Sequence, residues 1–94
     1  GRGGIRSLKL ESVNNEGGRM TCFNLRGSET VYMGTNKING GQIKTYNGLG
    51  LETVFHGTDQ NDAGLLSVNN NAGLFRAMVG VDRGDKGLLN SANR

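Results

Sequence analysis

Gly41-Gln42-Ile43-Lys44-Thr45-Tyr46-Asn47-Gly48-Leu49-Gly50-Leu51-Glu52-Thr53-Val54-Phe55-His56-Gly57-Thr58-Asp59-Gln60-Asn61-Asp62-Ala63 is followed at Gly64 by a stretch carrying Gly and Asn at the same places. The spacing is 23 residues, and it extends both ways along the chain. Gly18, Gly41, Gly64 and Gly87 stand one period apart, as do Asn24, Asn47, Asn70 and Asn93. Gly4, Gly27, Gly50 and Gly73 form a further series. Gly34, Gly57 and Gly80 form the last, with Glu11 one period before them. Eleven of these twelve Gly slots hold Gly, where the chain's own Gly frequency would fill about two. The unit G-x5-N-x2-G-x6-G-x6 continues without a gap from Gly4 to Arg94, in units of about 4–26, 27–49, 50–72 and 73–94. A fixed period of this length is the signature of a stacked repeat.

Between the punctuating residues lie short segments of β character. Residues 19–23, 42–46, 65–69 and 88–92 align so that Met20, Ile43, Leu66 and Leu89 form an apolar column and Cys22, Thr45, Val68 and Ser91 a small one. Thr21, Lys44, Ser67 and Asn90 between them are polar. A second segment (5–10, 28–33, 51–56, 74–79) supplies Leu8, Val31, Val54 and Ala77, then Leu10, Met33, His56 and Val79. Period-2 alternation bounded by Gly and Asn predicts half-buried strands. The stretch after Gly34, Gly57 or Gly80 is polar and reads as a return arc. Helix is not expected, because no 3.6-residue period exists and Gly recurs every few residues.

These features predict an all-β fold, a β-helix or β-solenoid of 23-residue rungs. The eleven glycines read as structural corners, since Gly takes positive φ without steric cost. Asn24, Asn47, Asn70 and Asn93 read as a ladder of stacked amides. The core expected is Met20, Ile43, Leu66 and Leu89 with Leu8, Val31, Val54 and Ala77. Four rungs would stack only about 20 Å high, with a thin core and uncapped strand edges. Three chains sharing one core remove that difficulty, so an intertwined homotrimer is expected; end-to-end stacking into a filament is the other solution.

Composition agrees with a shared rather than a private core. Of 94 residues, 34% are apolar, 17 are Gly, and there is neither Pro nor Trp. One cysteine, Cys22, precludes an internal disulfide framework. The net charge of +3 is spread over interspersed acids and bases, unlike the clustered basic stripe of a nucleic-acid binder. No apolar run reaches the length of a membrane span or signal-peptide core. The abrupt start at Gly1 and end at Arg94 fit a piece of a longer chain.

In its Gly-punctuated short strands and its corners Gly57-Thr58-Asp59 and Gly80-Val81-Asp82, the repeat resembles the triple-stranded β-helical shafts of bacteriophage tail fibres and related trimeric fibre proteins. The resemblance covers nearly the whole chain and implies a rigid, protease-resistant homotrimer that transmits or displays and does not catalyse. No receptor-binding head or trimerisation foldon is recognisable.

Catalytic and ligand-binding groups are sparse. His56 shares a column with Met33 and Val79 and reads as a tolerated inward or corner histidine rather than a metal ligand on a trimer axis, since no neighbouring unit repeats it. Cys22, with Thr45, Val68 and Ser91 as column-mates, reads as a small packing residue. Asp59, Asp62, Asp82 and Asp85 read as solvated turn residues; the nonapeptide calcium repeat is missing. Phe23 with Tyr46, and Tyr32 with Phe55, could form a carbohydrate-binding strip, although cross-rung packing accounts for them. Thr30, Thr53, Thr35 and Thr58 form too short an array for ice binding. The expectation is a non-catalytic shaft module with no metal and no cofactor, on an extracellular or virion surface. Its partners would be copies of itself and, as a further candidate, surface carbohydrate, with no nucleic acid and no membrane insertion. A self-assembling, functional-amyloid-like filament and a carbohydrate-binding spike segment are the alternatives.

Overall fold

The computed structural model describes residues 7–92, so that Gly4 and Asn93 of the repeat series lie outside the described residues. All regular structure in it is β: β1 (Leu8–Val13), β2 (Gly17–Phe23), β3 (Glu29–Thr35), β4 (Gly41–Tyr46), β5 (Glu52–Thr58), β6 (Gly64–Asn69), β7 (Phe75–Val81) and β8 (Gly87–Ser91). They form one open sheet in sequence order, every neighbouring pair antiparallel. The molecule measures 51 × 34 × 14 Å. A second layer would add about 10 Å of thickness, so 14 Å is a single sheet with its side chains.

The 23-residue unit is therefore a hairpin, two strands and two loops, and not one turn of a coil. Residues one period apart are next-but-one neighbours in the sheet. The strand between them runs the other way and contributes its own column. Leu10, Met20, Met33, Ile43, His56, Leu66, Val79 and Leu89 lie directly opposite one another in succession across all eight strands. Leu8, Cys22, Val31, Thr45, Val54, Val68, Ala77 and Ser91 do the same two residues along. Side chains two apart share a face, so the four columns expected on two edges of a rung interleave on one face of one sheet. The opposite face carries Lys9, Thr21, Tyr32, Lys44, Phe55, Ser67, Met78 and Asn90.

The loops explain the Asn series and part of the Gly series. In the loop from Asn47, the Gly50 N–H donates to the Asn47 carbonyl (2.9 Å) and the Asn47 N–H to the Leu51 carbonyl (3.0 Å). Gly50 has φ +84°, and its counterparts Gly27 and Gly73 have +86° and +80°. This is a turn closed by one left-handed residue, the form in which a three-residue hairpin loop matches strand twist. Asn47 Oδ1 accepts the N–H groups of Leu49 (3.0 Å) and Leu51 (3.1 Å), and Asn24 and Asn70 repeat the pattern. The polar return arc is the same loop at the other end of the strands. It starts at Asn36, Asp59 or Asp82, whose Oδ1 accepts two N–H groups. Its left-handed residues are Asn39, Asp62 and Asp85, at φ 70°, 65° and 66°.

Beside the Asn loops the pairing slips at Cys22/Phe23, Thr45/Tyr46 and Val68/Asn69. These are β-bulges one period apart, with Thr30, Thr53 and Arg76 as the residues left unpaired. Thr30 and Thr53 each donate Oγ1–H to a carbonyl of the preceding strand, Cys22 or Thr45, at 3.2 Å.

Candidate functional site

Among the described residues no apolar side chain is buried, and the one buried polar residue is Thr21, 5% exposed. The residues expected as a core stand together in one continuous stripe on one face of the sheet, and solvent reaches them. Leu66 is 38% exposed, Val79 51% and Leu89 78%. The stripe is two side chains wide and runs across every strand. It is flanked on one side by the bulges and on the other by Gly18, Gly41, Gly64 and Gly87, which have no atom near their would-be Cβ. The chain exposes 6728 Å², against about 5,200 Å² for a compact protein of its mass. An excess of about 1,500 Å² on one chain is more than the roughly 800 Å² that each partner contributes to a standard interface.

The third Gly series has a steric cause of its own. Gly34, Gly57 and Gly80 lie inside strands on the polar face; Gly34 is opposite Arg19, Gly57 lies between Gln42 and Leu65, and Gly80 is opposite Leu88. They are not positive-φ corners. A Cβ on Gly57 would stand 2.7 Å from the Gly41 carbonyl oxygen and 2.9 Å from Gln42 Cα; one on Gly34 would stand 2.7 Å from Arg19 Cβ. Gly80 is looser, its nearest atom being Leu65 Cδ1 at 3.3 Å.

Glu11, the one departure from this series, anchors a charge cluster on the same face. Lys9 Nζ approaches its carboxylate to 3.0 Å, and Arg19 Nε donates to the other oxygen. The hydrogen bond from Lys9, then that from Arg19, holds the Glu11 carboxyl below the usual carboxylate range. The Arg19 guanidinium also lies over the Tyr32 ring, 5.8 Å from its centre, a cation–π distance. Tyr46 is pushed above the usual phenol range by burial first and by Glu29 and Glu52 second.

One period on, this arrangement is vacant. Phe55 stands where Tyr32 stood, and Gln42 replaces Arg19. There an open cavity of about 470 Å³ lies between β4, β5 and β6 and the loops at their ends, lined by Phe55, Leu65, Gln42, Lys37, Gln60 and Glu16 among others.

The remaining candidates are scattered. His56 is exposed on the apolar face, between Ile43 and Leu66, and Cys22 is a half-buried free thiol. Asp59 and Asp82 bind their own loops. Among the described residues no three His, Cys, Asp or Glu side chains gather as a metal site. Among the described residues no hydrogen bond joins one side-chain amide of the Asn series to another; Asn47 Nδ2 instead reaches the Asn71 carbonyl of the next loop at 3.0 Å. The aromatics Tyr32 and Phe55 share the polar face, separated by Lys44. No protein-family model matches the chain, and no curated protein matches it in sequence.

Proposed function

We propose that this chain is a non-catalytic structural module of a fibre or shaft on an extracellular or virion surface, working through assembly with copies of itself. The observation that carries this reading is the apolar stripe, which crosses all eight strands and is covered by nothing among the described residues. Burial of apolar area is the dominant drive to association. A stripe only two side chains wide suits a narrow core shared by three open sheets around one axis, each turning its polar face outward. Three-fold assembly thus supplies the shared β core for which the repeat pattern calls, with the hairpin as its unit.

End-to-end growth into a filament is the competing arrangement, favoured by the outer edges of β1 and β8, which pair with no strand among the described residues. The repeat's own register would set β8 of one copy beside β1 of the next, Leu89 against Leu10 and Leu88 against Glu11. At that place the internal strand pairs have Gly34, Gly57 or Gly80, and at Gly34 and Gly57 a Cβ would crowd the neighbouring strand. Glu11 therefore obstructs this edge, and charge on an edge strand is a known defence against strand addition. We favour closed assembly for that reason.

Sedimentation of two variants tests the proposal. Val54→Lys places a charge in the middle of the stripe, and its long side chain can reach solvent in a lone sheet. Ser67→Lys adds the same charge to the polar face. The expected result is a folded monomer for Val54→Lys and an unchanged oligomer for Ser67→Lys. A Val54→Lys chain of the parent's mass would contradict assembly through the stripe.

A further inference from the structure

We infer that the cavity beside Phe55 is a binding site for a neutral oligosaccharide. The repeat provides an internal comparison. In the preceding unit the equivalent ring, Tyr32, is covered by Arg19, which Glu11 clasps. In the Phe55 unit the residue equivalent to Arg19 is Gln42 and that equivalent to Glu11 is Gly34. Both the cover and its clasp are gone, and the cavity opens beside Phe55 between Gln42 and Leu65.

The lining has the chemistry that sugars require. Phe55 and Leu65 give an apolar bed for the C–H face of a pyranose ring, as aromatic side chains do for amphipathic ligands. Gln42 and Gln60 contribute amides that donate and accept, and neither forms a side-chain hydrogen bond among the described residues. Lys37 and Glu16 are likewise free of ion pairs among the described residues and stand on successive loops at the rim. One base and one acid there, with Asp59 committed to its own loop, do not select a strongly charged ligand. The opening suits part of a chain better than a fully enclosed monosaccharide. Because the cavity is on the face opposite the apolar stripe, it stays accessible in the assembly proposed above and does not depend on it.

The test is a titration of the isotope-labelled protein, followed by amide and side-chain NMR shifts, with cellotriose, maltotriose and triacetylchitotriose as probes. The expected result is saturable shifts at Gln42, Phe55 and Gln60 with at least one probe. Phe55→Ala should weaken that binding by roughly tenfold or more, and Gln42→Ala should weaken it while the oligomer's mass stays the same. Three results would overturn the inference: no saturable shift with any probe, shifts away from the cavity, or affinity that Phe55→Ala leaves unchanged. Shifts at Phe55 with argininamide but none with the sugars would also overturn it, identifying a guanidinium pocket. Loss of assembly in Val54→Lys with sugar binding retained would support the site independently of the fibre reading.

Discussion

Alanine placed at Gly57, Gly41 and Gly50 separates three physical reasons for the same residue. At Gly57 the new Cβ meets backbone, the Gly41 carbonyl oxygen at 2.7 Å and Gln42 Cα at 2.9 Å, and neither can swing aside without moving β4. Overpacking of that kind costs about 1–3 kcal/mol. At Gly41 no atom lies within 4 Å and φ is not positive, so alanine should stabilise by about 0.4–1 kcal/mol through the unfolded chain. At Gly50 the space is equally open but φ is +84°, and alanine should cost about 1–2 kcal/mol for backbone conformation alone. Gly50→Asn should recover part of that loss, since Asn tolerates the left-handed region. The assay is urea unfolding followed by circular dichroism at one fixed protomer concentration, because assembly links stability to concentration. With a slope of about 1–2 kcal/mol per molar, the Gly57 and Gly41 variants should differ in midpoint by about 1 M or more. Equal midpoints would refute the crowding assigned to Gly57.

Two further outcomes follow from the loop and charge geometry. Asn47→Ala removes two accepted N–H bonds and the link to Asn71; in an exposed loop this should cost about 1–2 kcal/mol, and Asn47→Asp, which keeps the acceptor, should cost less by the same unfolding assay. Glu11 titrates below its ordinary value in the folded chain, so its contribution is present above the unfolded carboxyl pKa and is lost as pH falls through the depressed folded pKa. Glu11→Gln should flatten that part of the stability–pH curve, measured as urea midpoints down through about pH 5 to 2, and an unchanged acid limb would remove the ion-pair cluster from the account.

Much of the strand content was legible in the sequence. The segments expected at 42–46 and 65–69 are the strands Gly41–Tyr46 and Gly64–Asn69, and 51–56 is Glu52–Thr58 within two residues. Strand direction was not legible from the period, since a two-strand hairpin and a single rung both repeat every 23 residues. The discriminating signal was local: Asn47-Gly48-Leu49-Gly50 is too short for an arc between rungs and places Gly where a three-residue hairpin loop needs a left-handed residue. Asn36 and Asp59, with Asn39 and Asp62 three residues later, repeat that signal at the other end of the strands. Once the strands alternate in direction, Met33 and His56 move beside Met20, Ile43 and Leu66, and four interrupted columns become two continuous ones, the stripe two side chains wide. The need for Gly at 57 arises from crowding across the sheet, a tertiary contact that spacing alone does not reveal. The cavity beside Phe55 likewise depends on a contact across the sheet, the one lost with the exchange of Arg19 for Gln42 one period on.

The mass of the unmodified chain in solution, by size-exclusion chromatography with light scattering, tests most directly whether the stripe is covered by other copies. One chain weighs 10.0 kDa, so three should give a single species of 30 kDa whose mass does not grow with concentration. A stable, folded 10.0 kDa monomer at every concentration would contradict the proposal, and an open-ended ladder of polymers would replace closed assembly with edge-to-edge growth.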